Sequence, residues 1–226
     1  MSAPLPKHVE IAESLIRRIG AGLIADGARL DPERAMAEAL GVAVGTLRKA
    51  LAILESQGLL ERRQGSGNYI RHRPGVRSVY GLFRLELAAG GGLPTAQILS
   101  LDRLPRAPGV PGPEFGNSPG WRIRRLRRLD GIAVAVEEIW FLHPGEVAQA
   151  RLSDSLYQSW RDLFGLRVTR VEDRVGLAPL PDWSPQPLSD LCGHVERRSW
   201  AAQEMIEFSW TWFDATRARF VSREGD

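Results

Sequence analysis

The sequence is poor in the residues that build crosslinks and metal centres. Its 226 residues include one cysteine and four histidines. Cys192 alone excludes a disulfide framework, and His8, His72, His143 and His194 are too scattered for metal-ligand spacing. Neither a metal nor another cofactor is expected. Long apolar runs are missing too, since Ile132 to Val136 leads directly into Glu137 and Glu138. The opening Met-Ser-Ala-Pro-Leu-Pro has neither the basic start nor the apolar stretch of a signal peptide. A soluble, cytoplasmic protein without membrane contact is expected. Lysine is nearly absent: of 30 basic residues, all but Lys7 and Lys49 are arginine.

What remains is a globular composition, 43% hydrophobic and 25% charged, in a chain long enough for one large domain or two ordinary ones. The net charge of +3 is unevenly placed. Residues 1–73 hold 11 Lys+Arg against 8 Asp+Glu, and the remainder holds 19 of each. A basic end joined to a neutral body suggests a polyanion partner for that end.

Val9, Ile11, Leu15, Ile16 and Ile19 recur at helical spacing, which predicts an amphipathic helix over about 8–22 with a turn at Asp26-Gly27. Asp31-Pro32-Glu33-Arg34 carries the signals of a helix start: a capping acceptor, a proline at the first helical position and a first-turn acid. That helix should run to Leu40 and stop at Gly41. A third helix should start near Val44-Gly45-Thr46 and end at Gly58. Two short strands, 59–63 and 68–73, flank the turn Gln64-Gly65-Ser66-Gly67. Three helices followed by a basic hairpin is the order of a winged helix-turn-helix, whose third helix enters the major groove. Arg17 and Arg18 read as solvated surface. Arg62, Arg63 and Arg71 read as phosphate contacts, which set affinity and salt dependence.

Leu30-Asp31-Pro32-Glu33-Arg34, Ala37-Glu38-Ala39-Leu40-Gly41-Val42, Thr46-Leu47-Arg48-Lys49-Ala50-Leu51 and Gly58 through Gly67 resemble the DNA-binding domain of GntR-family regulators, over nearly all of 8–72. The resemblance implies DNA contact by Arg34, Arg48 and the wing glycine Gly67, with Thr46 on a phosphate. The wider candidate DNA-binding set is Arg34, Val44, Gly45, Thr46, Arg48, Lys49, Arg62, Arg63, Ser66 and Gly67. Where the family usually carries arginine, this chain has Val44. An apolar side chain reads a thymine methyl and not a guanine edge, so a changed operator base is expected there.

Arg73-Pro74-Gly75-Val76-Arg77 breaks the pattern and predicts a linker at 74–77 between a domain at 1–73 and another at 78–226. A link so short should couple the two mechanically. The Pro- and Gly-rich stretch 105–120 reads as an irregular loop with a short turn near Glu114-Phe115. Beyond it, strands at 121–128 and 132–142 flank Leu129-Asp130-Gly131. With a two-residue Asp130-Gly131 turn, Arg125 and Glu137 fall on opposite faces. With a three-residue loop and Gly131 left-handed, Arg125, Arg127, Ala133, Ala135 and Glu137 share one face. That face suits a small anion, because arginine forks match carboxylate and phosphate. The alternative is a salt-bridged sheet surface. A helix capped by Asp154 or Ser155 should end near Gly165, followed by strands at 166–178, 194–200 and 205–213. In the last strand Phe208, Trp210 and Trp212 face one way, and Glu207, Ser209, Thr211 and Phe213 the other. Most of the seven tryptophans are expected in the core.

Arg125 through Gly131 with Glu137-Glu138, Ser155-Leu156-Tyr157 and Glu207-Phe208-Ser209 resemble the UTRA effector domain of the HutC-type branch, over most of 78–222. The resemblance implies a chorismate-lyase-like α+β fold with an antiparallel sheet. It also implies effector contacts at Arg125, Arg127, Glu137, Ser155, Tyr157 and Glu207. An aromatic hydroxyl usual six residues after Glu207 is replaced by Phe213, and the segment from Pro179 to His194 is short and Pro-rich. Both departures argue against assigning the amino-sugar phosphate that some relatives bind.

The expected protein is an α+β, two-domain, ligand-responsive transcriptional regulator, most often a repressor in this branch. Its expected partners are a double-stranded DNA operator, a second copy of itself, and a small effector such as a sugar phosphate, sugar acid or other anionic metabolite. The rival readings are an enzyme on the second domain and a ligand-independent DNA-binding protein. Catalysis finds little support, since no nucleophile pairs with a base. Cys192 and His194 flank a glycine in Cys192-Gly193-His194, and no catalytic residue is assigned.

Overall fold

The computed structural model describes residues 5–72, 80–105 and 119–223. The predicted linker at 74–77 lies outside the described residues, as do the Glu114-Phe115 turn and most of the 105–120 loop. The chain forms two compact units: Leu5–Leu93 with the chain end from Phe220, and Pro94–Arg219.

The first unit contains α1 (Lys7–Gly20), α2 (Glu33–Ala39), α3 (Val44–Ser56) and the hairpin β1 (Leu60–Arg63) and β2 (Gly67–Ile70). Ile11, Leu15 and Ile19 of α1 meet Leu47, Leu51 and Leu54 of α3, with Leu59, Leu60 and Ile70 closing the core. The apolar spacing that predicts the helices is therefore the spacing that packs them. Pro32 occupies the N-cap of α2, one residue later than Asp31-Pro32 suggests, and no side chain caps it. β1 and β2 pair from Leu60↔Ile70 to Arg63↔Gly67, so the wing has the expected form.

One reading of α1 is corrected. Arg18 is exposed, but Arg17 is buried, with 8% of its surface accessible. Its Nε donates to the Gly92 carbonyl at 2.6 Å and a terminal nitrogen to the Leu85 carbonyl at 2.5 Å. The guanidinium also lies 5.4 Å from the centre of the Phe83 ring. Burial lowers its pKa, against the opposing pull of Glu86 and Glu13. The reason for the difference is tertiary. Residues 80–93, including the strand β3 (Leu85–Leu87), belong to this unit and offer carbonyls that arginine satisfies. The chain end joins the same segment: the Val221 amide donates to the Arg84 carbonyl at 2.8 Å, and Arg223 forms a forked ion pair with Glu86 at 2.5 and 3.0 Å.

The second unit is a six-stranded antiparallel sheet with the order β4 (Pro94–Leu104), β5 (Gly120–Leu129), β6 (Ile132–Phe141), β9 (Glu204–Phe213), β8 (Leu191–Ala201), β7 (Val168–Pro179). The α-helix α4 (Leu156–Phe164) packs on one face. Its cap is Ser155, whose Oγ accepts from the Gln158 amide, and Gly165 ends it in the left-handed region at φ 70°. Trp160 stacks flat on Phe141 with ring centres 3.8 Å apart, within a cluster that includes Trp121, Ile123, Ile139, Leu152 and Leu156. Trp121, Trp140 and Trp160 are buried, whereas Trp183, Trp200, Trp210 and Trp212 are half-buried, so the core takes fewer tryptophans than expected. The α+β class follows directly from these elements. So does the alternation of the last long strand, since Phe208, Trp210 and Trp212 pair with Trp140, Glu138 and Val136.

Two substitutions probe this packing. Arg17→Met leaves two buried carbonyls unpaired and is expected to cost about 2–4 kcal/mol. The readout is faster amide exchange over residues 85–92; unchanged exchange would show that Arg17 does not hold the segment. Gly193 sits opposite Phe213, and a Cβ there would overlap the Phe213 ring. Gly193→Ala is expected to destabilise by about 1–3 kcal/mol, measured as a lower thermal midpoint.

Candidate functional site

The helix-turn-helix face collects the candidate DNA residues on α2, α3 and the wing. Arg34, Gly45, Arg48, Lys49, Arg62, Arg63 and Gly67 are exposed; Thr46 and Ser66 are half-buried. Val44 is half-buried and packs against the core of the unit. Arg48 is not a loose side chain: its Nε donates to Glu33 Oε2 at 2.7 Å. The other oxygen of Glu33 accepts from Arg62 of the wing at 3.3 Å, and Arg62 Nε reaches Glu55 at 2.9 Å. Glu33 thus links a recognition-helix arginine to a wing arginine. The hydrogen bond from Arg48 is the largest influence on Glu33 and holds its carboxyl below the usual range, against a smaller effect of burial. Arg63 lies 4.5 Å from the Tyr69 ring centre, and the Tyr69 hydroxyl meets Ser66 Oγ at 2.7 Å. Gly67 has φ 119°, a conformation that favours glycine, and a Cβ there would come 3.2 Å from Arg29 Nε. Glu33 and Arg29 are the residues that sequence reasoning missed here. Only the fold brings them to the wing.

The second cluster lies on the α4-bearing face of the sheet. Asp130 and Gly131 both take positive φ, 48° and 81°, as a two-residue hairpin turn requires, with Leu129 opposite Ile132. A bulge then intervenes, because Arg128 pairs with Ala133 but Arg127 pairs with Ala135. The extra residue on β6 restores what the turn alone would lose, and Arg125 stands opposite Glu137. Ala133, paired with Arg128, leaves the face that it was expected to share. A two-residue turn and a shared Arg125–Glu137 face therefore coexist.

Arg125 and Arg127 are each 4% exposed and Glu137 is 6% exposed. Glu137 Oε2 accepts from Arg125 at 2.7 Å and from Arg127 Nε at 2.9 Å. Both guanidiniums also point at the Asp154 carbonyl, at 3.4 and 2.8 Å, while the Asp154 carboxylate accepts from the Ala96 amide at 2.7 Å. Arg125 Nε is buried without a hydrogen-bond partner among the described residues. Burial raises the Glu137 pKa, but Arg127 and Arg125 outweigh it and hold the carboxyl below the usual range. Glu207 behaves oppositely. Burial pushes its pKa up, only partly offset by the Trp160 Nε1–H bond at 2.8 Å and by Arg125. Two guanidiniums thus share one carboxylate whose pKa is lowered, beside a second carboxyl whose pKa is raised, which leaves the cluster with an excess of positive charge.

The remaining predicted residues are nearby in chemistry if not all free in role. The Tyr157 hydroxyl meets Ser199 Oγ at 2.9 Å, and its pKa is raised by burial and by Glu207. Arg197 also faces Tyr157 and binds Asp173 in a forked pair at 2.5 and 2.7 Å. Ser155 is buried and its hydroxyl serves α4 as a cap. Phe213 stands opposite Ala135, so the ring without a hydroxyl shares the face of Arg127. Sequence reasoning missed Asp154, Trp160, Arg197 and Ser199. The register of 194–200 against 205–213 was the one available signal, since it sets Ser199 opposite Glu207 and Arg197 opposite Ser209.

Among the described residues no helix is long and apolar enough to cross a membrane, and no group of His, Cys, Asp or Glu is arranged to hold a metal. Residues 7–70 match the profile of bacterial regulatory proteins of the gntR family, and residues 90–219 match the UTRA domain. The HTH-type transcriptional regulator SmoD of Agrobacterium fabrum is 48% identical over 227 residues, covering 97% of this chain and 96% of that protein. The HTH-type transcriptional repressor NagR of Bacillus subtilis is 26% identical over 180 residues, covering 76% of this chain and 74% of that one. Among solved structures, the possible transcriptional regulator YydK from Bacillus subtilis has the same fold, with a TM-score of 0.50, 16% identity, and coverage of 98% of this chain and 100% of that one. The chain belongs to the gntR family of transcriptional regulators and combines a helix-turn-helix DNA-binding domain with a UTRA effector domain.

Proposed function

We propose that this regulator is a cytoplasmic, dimeric repressor released or tightened on its operator by a small anionic metabolite, and that it does not turn that metabolite over. Residues 1–73 are assigned to DNA binding, 74–77 to the link, and 78–226 to effector binding, with the 80–93 stretch packed in the N-terminal unit. The repressor sense follows the name of the relative NagR. Two winged units, one per protomer, grip an inverted repeat with half-sites about 34 Å apart. Arg34, Val44, Gly45, Thr46, Arg48, Lys49, Arg62, Arg63, Ser66 and Gly67 form the DNA face. Arg125, Arg127, Glu137, Ser155, Tyr157 and Glu207 form the effector site.

The observation that carries the effector reading is the pair of guanidiniums, each 4% exposed, that share one oxygen of Glu137 while Arg125 Nε has no acceptor among the described residues. A buried donor without a partner is costly, and an incoming oxyanion relieves it. A sugar phosphate or a sugar acid supplies such oxygens. A coupling of about 1–3 kcal/mol between effector and DNA is enough to change occupancy many-fold. The reading without catalysis rests on the absence of a built nucleophile at the suggestive triplet. Cys192 Sγ donates to the Ser189 carbonyl at 3.2 Å, and His194 packs on Trp212.

Three outcomes test this. Arg48→Ala is expected to cost about 1–3 kcal/mol on the operator and to relax its sequence preference, measured by titration against operator and scrambled duplexes. An equal loss on both duplexes would remove Arg48 from base reading. Arg125→Ala and Arg127→Ala are expected to leave operator affinity intact while abolishing the response to whichever member of a panel of phosphorylated sugars and sugar acids stabilises the wild type in a thermal shift. A response that survives both changes places the effector elsewhere. Chemical conversion of that bound compound, followed by mass spectrometry, would overturn the non-enzymatic reading.

A further inference from the structure

The first unit buries a polar cluster that takes no part in the DNA face or in the proposed effector site. Glu13, Arg17 and Glu86 are all buried. Glu13 and Arg17 stand four residues apart and so share one side of α1. On its other side, Ile11, Leu15 and Ile19 meet Leu47, Leu51 and Leu54 of the recognition helix α3. α1 thus carries α3 on one side and residues 80–93 on the other. The turn that meets Arg17 contains Gly90, Gly91 and Gly92, with φ of 93°, 67° and 92°, a run that glycine adopts without strain. It is seated closely, since a Cβ on Gly91 would lie 3.4 Å from Leu23 and 3.6 Å from Arg18. The turn delivers the Gly92 carbonyl to Arg17, and β3 delivers the Leu85 carbonyl to the same guanidinium. The chain end is tied to this segment by Arg223 on Glu86 and by Val221 on Arg84. Among the described residues, the chain passes to the second unit after Leu93, where β4 begins, and comes back at Phe220. Both connections therefore leave from the segment that Arg17 holds.

We propose that Arg17 is a positioning residue for regulation: it fixes both connections to α1, so that a shift of β4 in the second unit is carried through α1 to α3. Stability alone does not call for an arginine here. Taking a cation out of water is costly, and apolar side chains of similar volume commonly serve as well or better in place of buried charges. What the guanidinium adds is direction. Two hydrogen bonds to carbonyls, at 2.6 and 2.5 Å, fix the register of residues 85–92 on α1. Apolar contact is non-directional and would let the segment slide. A joint that slides absorbs a displacement, whereas a joint in fixed register passes it on. The route is contiguous: from β4 through Leu93 and Gly92 to Arg17, then across α1 and its apolar core to α3. This role requires DNA binding by the first unit and no particular effector in the second, so it stands or falls separately from the anion site at Arg125 and Arg127.

Amide exchange of the full chain, alone and with a DNA duplex that the wild type selects from a random pool, tests the joint. In the wild type the duplex is expected to slow exchange in α3 and, by about fivefold or more, in β4 as well. Arg17→Met is expected to bind the duplex with unchanged affinity and to keep the slowing in α3 while losing that in β4. A role confined to stability would alter exchange in the free protein and leave the duplex-induced slowing of β4 in place, which would overturn the proposal. A wild type whose β4 does not respond to the duplex overturns it too. Arg223→Ala releases the tie on Glu86 through an exposed side chain, so the fold is kept. Its β4 response is expected to fall about twofold or more. A response equal to that of the wild type counts against the joint, and this arm holds even if Arg17→Met does not fold.

Discussion

Two guanidiniums taken out of water repel each other and lose their hydration, and because arginine keeps its charge, burying both is tolerable only if a carboxylate lies between them. Glu137 is that carboxylate, and the effector unit is arranged to deliver it. Its position depends on the bulge in β6: a two-residue turn followed by unbroken pairing would set Arg125 against Val136, with Glu137 on the far face. One additional residue between Ala133 and Ala135 corrects the parity. The rest of the site follows from the same constraint. Each guanidinium also aims one terminal nitrogen at the Asp154 carbonyl, Asp154 is tied to β4 through Ala96, and the next residue caps α4. Removing Glu137 would leave two buried cations unpaired, a loss of about 3–5 kcal/mol for a broken buried pair. The arrangement is therefore fixed before any ligand arrives.

What was legible in the sequence was local. Glycine stops, first-turn acids and apolar spacing placed α1, α2, α3 and the first wing strand within a residue or two, because each of those elements is dictated by its own residues; the second wing strand ends at Ile70, three residues earlier than expected. The α+β class and the long strands of the second unit other than β4 were legible for the same reason. What was not legible depended on partners far along the chain. Arg17 lies on a helix face that reads as polar, yet the carbonyls it binds are 68 and 75 residues away. β4 alternates poorly, with half-buried residues along most of its length, and so gives no period-2 signal. In the site, Arg125 and Glu137 were found because one hairpin joins them. Arg197 and Asp154 were not, since the first enters through the β8–β9 register and the second acts through its backbone. A backbone carbonyl leaves no trace in residue identity.

The helix-turn-helix face meets a different constraint. Its arginines Arg48, Arg62 and Arg63 are exposed and Arg71 is half-buried, yet each already holds a carboxylate. Such surface pairs contribute little to stability, at most about 1 kcal/mol each. Their use is positional. Glu33 holds Arg48 from α3 and Arg62 from the wing with its two oxygens, so two long side chains that would otherwise sample many rotamers are kept extended on one face. A weak pair is suited to this, because a phosphate or a base edge can replace the carboxylate at small cost. A strong pair would compete with DNA.

The same residue type thus sits in two dielectrics, and the difference separates the two proposed tasks. Exposed arginines act through the condensed ions of a polyanion, so their contribution falls steeply as salt rises. Arg125 and Arg127, each 4% exposed, are screened little by salt, and their energy depends on whether every donor finds an acceptor. A regulator needs that separation. If effector and operator bound through the same screened charges, any change in ionic strength would imitate the signal. On the proposed function, burying the second pair on a shared carboxylate would make the effector response a matter of fit, and would leave the excess charge of residues 1–73 to attract DNA.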